Sequence, residues 1–118
     1  MNKLQDFPRL EKDGQVAVLT SPGFGAGWST WNDSDWQPLL TTHRDIVQAV
    51  LDDDKNKAAI VAEQLIREAT GKPDAYVCTL GAGNLAVEWL EKGSQFEIED
   101  YDGSESLHAI GRRNYQTV

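Results

Sequence analysis

The spacing of apolar residues changes at Pro73, and that change decides the fold class. Before it, residues 55–69 carry Ala58, Val61, Ala62, Leu65, Ile66 and Ala69 as one stripe at helical spacing. Asp54 is placed to cap that helix, and Gly71 and Pro73 to end it. A shorter helix is expected upstream, with Thr42 as N-cap, Asp45 three residues on, and Ile46, Val47, Val50 and Leu51 on one face. Asp52-Asp53-Asp54 ends that helix poorly and starts the next one well, because carboxylates favour a helix N-terminus. After Pro73 the period becomes alternating. Residues 75–80 predict a buried strand, Gly81-Ala82-Gly83-Asn84 a turn, and Leu85, Val87 and Trp89 one side of another strand. Residues 91–94 predict a hairpin around Gly93 leading to Phe96 and Ile98, which point inward. Asp102-Gly103-Ser104 predicts a further turn and residues 107–110 a last strand. With Gln15–Thr20 as a short, buried first strand, the order is β-α-α-β-β-β-β. It implies a single α+β domain over residues 1–118, with a mainly antiparallel sheet, two helices packed on one face, and an irregular lead-in over 1–14.

Charge narrows the partners. Eleven Lys and Arg stand against nineteen Asp and Glu in 118 residues, a net charge of −8. Nucleic-acid binding relies on clustered cations, and the longest basic run here is Arg112-Arg113, so direct nucleic-acid binding is not expected. An acidic surface serves solubility, or it faces a basic protein. The single cysteine excludes an internal disulfide and a Cys-based zinc site. No apolar run approaches the ~18–20 residues of a membrane span, and Met1-Asn2-Lys3-Leu4-Gln5-Asp6 does not read as an export signal. These features predict an acidic cytoplasmic protein with no membrane association and no cofactor.

The most unusual stretch is residues 22–42, which holds three Gly, two Pro and three Trp without helical or strand periodicity. Long irregular loops in small domains tend to be functional. Two readings compete. In one, the glycines permit a tight bend while Trp28, Trp31 and Trp36 plug one end of the core. In the other, Phe24, Gly25, Gly27, Trp28, Ser29, Thr30, Trp31 and Asn32 form a ligand-binding loop, with aromatics to stack and polar groups to hydrogen-bond. The spacing fits neither a dinucleotide fingerprint nor a P-loop. Asp100-Tyr101-Asp102-Gly103-Ser104-Glu105 places its glycine fourth and lacks flanking helices, so it reads as a solvated turn and not a calcium loop. His43 and His108 are the only histidines, and no nucleophile motif accompanies them. Cys78 reads as an inert core thiol.

Two stretches carry a resemblance: Gly23-Phe24-Gly25-Ala26-Gly27-Trp28-Ser29-Thr30-Trp31-Asn32, and residues 96–106, which contain Tyr101-Asp102-Gly103-Ser104-Glu105-Ser106. Together they resemble a group of small acidic proteins of bacteriophages and prophage-bearing bacteria. The resemblance implies a phage accessory role in the host cytoplasm, such as counter-defence by sequestering a nucleotide-like molecule or by blocking a host protein. It brings no catalytic residues. The Asp102-Gly103-Ser104-Glu105 turn, with Asp102 and Ser104 as binding residues, would join the Gly/Trp loop in a pocket or partner surface, and for a nucleotide-like ligand Arg44, Arg112 and Arg113 would supply positive charge. The alternatives are a small-molecule enzyme using His43 or His108 with a carboxylate, and an acidic interaction module without a ligand. Four Trp and three Phe in so short a chain also suit a homo-oligomer.

Overall fold

The computed structural model describes residues 3–23, 27–110 and 116–117. Glu11–Lys12 (β1) and Gln15–Thr20 (β2) form a tight antiparallel hairpin, with Asp13 and Gly14 both at positive φ as a two-residue turn requires. β2 is buried on both faces, which is why its sequence is a continuous apolar run. Ala17 and Leu19 face the helices, while Val18 points the other way against Phe96 and Ile98. Ala86–Glu91 (β3) completes a first sheet in the order β1-β2-β3, with Ala17 opposite Trp89 and Leu19 opposite Val87. Gln95–Tyr101 (β4), Ser104–Ile110 (β5) and Gln116–Thr117 (β6) form a second antiparallel sheet in the order β5-β4-β6.

Three helices cover the outer face of the first sheet. They are Gln37–Thr42 (α1), Arg44–Leu51 (α2) and Lys55–Thr70 (α3). Leu39, Leu40, Ile46, Val47, Ala58, Ala62 and Ile66 are buried against Ala17 and Leu19. The layers therefore run helices, sheet, sheet, and the fold is α+β. The capping expected for the long helix is present: the Lys57 N–H donates to Asp54 Oδ1 at 3.0 Å, and Gly71 adopts the left-handed conformation at φ 70°.

Several local expectations are corrected. The stretch 22–42 holds two 3₁₀ turns, Ser29–Trp31 and Ser34–Trp36, and then α1, so the described residues contain three α-helices where two were expected. The lead-in carries β1, and Leu4, Phe7 and Leu10 pack on the main core. Residues 75–79 form no strand, and Leu80–Asn84 is a 3₁₀ turn. Their backbone is held another way: Cys78 N–H donates to Asn32 Oδ1 at 2.8 Å, and Asn32 Nδ2 donates to the Cys78 carbonyl at 2.9 Å. That one amide replaces the ladder partner of a neighbouring strand. Cys78 itself is a free, half-buried thiol. No hairpin forms around Gly93, because β3 pairs with β2 and β4 pairs with β5. The chain instead crosses from one sheet to the other there. The gain is burial of Phe96 and Ile98 against Val18, the second face of β2. The hairpin lies one turn later, around Asp102-Gly103, with Ile98 opposite Leu107.

The N-cap of α2 is His43 and not Thr42. Its Nδ1 accepts the Asp45 N–H at 3.0 Å, while the Thr42 hydroxyl donates to the Pro38 carbonyl within α1. The imidazole is buried and stacked on Phe7, with ring centres 5.3 Å apart, and Arg9 lies over the other ring at 4.4 Å from its centre. Burial pushes the His43 pKa below its usual 6.5; Asp45 opposes that shift, and Arg44 and Arg9 add to it. The folded state thus disfavours the proton, and the unfolded chain binds it more readily. Stability from this site is present above pH 6.5 and is lost as pH falls through the folded value. In acid melts the wild type should lose stability across that window. His43→Asn, which keeps a capping acceptor without a titrating ring, should show a shallower loss. Equal pH slopes would refute this.

Candidate functional site

The second sheet decides where the Gly/Trp loop sits. Alternation along β5 gives Glu105 the same direction as Leu107, toward the interior. Glu105 is 2% exposed, and among the described residues its carboxylate meets four donors, from Ser21 at the end of β2 and from Trp28 and Thr30 in the loop. The Ser21 N–H donates to Oε1 at 2.8 Å. Oε2 accepts the Trp28 N–H at 2.7 Å, the Thr30 N–H at 3.0 Å and the Thr30 hydroxyl at 2.7 Å. Charge-assisted bonds of this kind are the stronger class, and together they offset the cost of burying an anion. The Trp28 and Thr30 donors lie at the start of the Ser29–Trp31 turn, so the anion also caps it. The Glu105 N–H returns a bond to the Ser21 carbonyl at 2.8 Å, and the Ser104 hydroxyl donates to the Pro22 carbonyl at 2.6 Å.

Around this anchor the loop is packed closely. Trp28 is fully buried, and its indole N–H donates to the Leu40 carbonyl at 2.7 Å. Ser29 is buried, and its hydroxyl lies 3.4 Å from the Gln37 amide. Asn32 bonds both Cys78 and the Trp28 carbonyl. A Cβ on Gly81 would meet the Gly27 carbonyl, so only glycine allows that approach. Trp31 is different. It is 40% exposed, and its indole N–H donates to Asp100 Oδ2 at 3.2 Å. Asp100 Oδ1 also accepts the Gly103 N–H at 2.9 Å and closes the hairpin turn. Asp102 stands exposed at that turn with φ 51°, and Tyr101 beside it is 78% exposed.

The two sequence stretches singled out for their resemblance are therefore in contact. Trp28, Thr30 and Trp31 reach the segment from Asp100 to Glu105, with Ser104 bonded to Pro22. Phe24, Gly25, Arg112 and Arg113 lie outside the described residues. His43 is the α2 cap on the helical side, Arg44 pairs with Asp45, and His108 Nε2 lies 3.5 Å from Glu99 on the hairpin. Spacing placed Glu105 in the turn beside the Gly/Trp loop but not its buried, anchoring role, and it did not assign Asp100 or Tyr101 to the site. Strand parity was the available signal: a carboxylate in phase with Leu107 and an aromatic out of phase with Phe96 and Ile98. A separate open groove of about 440 Å³ lies between α2 and α3, lined by Asp45, Gln48, Lys57, Leu65 and Glu68 among others. None of the candidate binding-site residues lines it.

Among the described residues, no cluster of three or more His, Cys, Asp or Glu is placed to hold a metal, and no helix is long and apolar enough to cross a membrane. Comparison with protein families, curated proteins and solved structures gives no match.

Packing separates the two tryptophans. Trp28→Ala should cost ~3–5 kcal/mol, a large part of a total of ~5–15 kcal/mol, whereas Trp31→Ala should cost about 1 kcal/mol or less. Glu105→Gln turns one acceptor into a donor facing donors and should cost about 1–3 kcal/mol. Chemical denaturation of the three variants measures these differences. Similar losses for Trp28→Ala and Trp31→Ala would contradict the assignment.

Proposed function

We propose that this protein is a non-enzymatic binding protein, a bacteriophage or prophage accessory factor that blocks a host protein through the end of the β4–β5 hairpin and Trp31 beside it. The observation that carries the reading is the pairing of a rigid support with exposed aromatics. Trp31 and Tyr101 project from segments pinned by Glu105, Asp100 and Asn32, and Leu80, 71% exposed, precedes the Gly81 that packs on Gly27. Large aromatics held outward at low entropic cost are characteristic of binding hot spots. The phage setting and a counter-defence role rest on the resemblance of the two stretches that meet here.

The internal chemistry favours binding over catalysis. The four donors that meet Glu105 occupy its carboxylate, and the His43 Nδ1 is committed to a helix cap. Blocking a protein is also favoured over holding a nucleotide. Glu99, Asp100 and Asp102 line the hairpin end, and a phosphate placed there would meet like charge.

A photo-crosslinking amino acid in place of Tyr101 tests the site in host cells, with Gln64 on α3 as the control position. Position 101 should capture a discrete host protein that position 64 does not. Capture at both positions, or at neither, would overturn the proposal.

A further inference from the structure

The chemistry of this surface specifies its partner more closely. We infer that the outer face of the β4–β5 hairpin receives an extended Lys/Arg-bearing segment of the partner protein, an inference that rests on the binding-protein reading above. The first support is the distribution of charge. No Lys or Arg occurs in residues 21–36 or in residues 97–106, the two segments that build this end of the molecule. They contribute Asp33, Asp35, Glu97, Glu99, Asp100 and Asp102 instead, and the only ring nitrogens that could add positive charge on the hairpin belong to His108, beside Glu99.

The second support is how these carboxylates are used. Asp100 is engaged by the Trp31 indole and the Gly103 amide, and Asp33 caps the Ser34–Trp36 turn through a bond from the Asp35 N–H at 3.0 Å. Glu97, Glu99 and Tyr101 share the other side of β4, opposite His108, Ser106 and Ser104 on β5. They recur every second residue, which is the repeat of an extended chain laid alongside. Cations at alternate positions of such a chain would face Glu97 and Glu99, and a further one would lie on the Tyr101 ring. Charge and shape repeat with the same period.

Labelled nonaarginine, followed by fluorescence anisotropy at low and at physiological salt, provides the test. Glu99→Gln with Asp102→Asn removes two charges from the surface, and Asn tolerates the positive φ of residue 102. Asp13→Asn with Glu68→Gln removes the same charge elsewhere. Asp13 occupies a similar Asp-Gly turn at positive φ, whose Gly14 carbonyl accepts the Lys92 N–H just before the chain enters β4, about 20 Å of strand away from residue 102. The hairpin pair should weaken binding about fivefold or more at low salt, and the distant pair by about twofold or less. Tyr101→Ala should weaken it while leaving the melting temperature unchanged. Equal losses from the two charge-matched pairs, or no binding by the wild type, would overturn the inference. A cross-link from position 101 to a host segment without Lys or Arg would overturn it too, yet leave the binding-protein reading standing. Absence of any cross-link from position 101 is the outcome that removes the reading itself.

Discussion

The buried Glu105 carboxylate is the interaction on which the arrangement of this molecule depends. A lone anion in the interior would be severely destabilising, so its four donors must be in place whenever the protein is folded. Two are backbone N–H groups at the start of a 3₁₀ turn, and a third is the Ser21 N–H at the end of β2, all of which would otherwise lack an acceptor. The dependence is mutual: the loop needs an acceptor and the carboxylate needs donors. It joins the end of β2, the Trp28 region and the second sheet into one unit. Trp28 can then fill the core, and Trp31, three residues later, is left at the surface.

β2 plays the corresponding role for the apolar layers. Because Ala17 and Leu19 serve the helical side and Val18 the other, a single sheet with one covered face cannot satisfy it. A second sheet is required, and Phe96 and Ile98 supply it. The continuous apolar run of residues 15–20 already announced two-sided burial. That the second cover would be strands β4 and β5, and not more helix, is legible only from the alternation after Gly93.

What could be read from the chain was what local chemistry decides. Asp54, the six-residue stripe and Gly71 define α3 without help from elsewhere, and Asp102-Gly103 turns because both residues adopt positive φ readily. What could not be read depended on distant partners. Residues 75–79 alternate like a strand, yet the neighbour they find is one Asn32 amide and not another backbone. Thr42 looks like a cap, but His43 displaces it because Phe7 and Arg9, far back in the chain, bury the ring where its Nδ1 meets α2. The site divided the same way. Spacing singled out the Gly/Trp stretch and the Asp-Gly-Ser-Glu turn, but it could not say which tryptophan faces inward, since that follows from a carboxylate roughly eighty residues away.

That separation has a consequence for synthesis. The bond from Ser21 to Glu105 spans 84 residues, and the bonds from Trp28 and Thr30 span 77 and 75. Contacts so far apart in sequence close late, after local helices have formed. While the chain emerges from the ribosome, the helices and the β1–β2 hairpin can assemble before β5 exists. During that interval the loop amides have only water as partners, and Trp28 lacks the fastening that holds it in the core. The native loop is completed only when a strand some eighty residues downstream has been made.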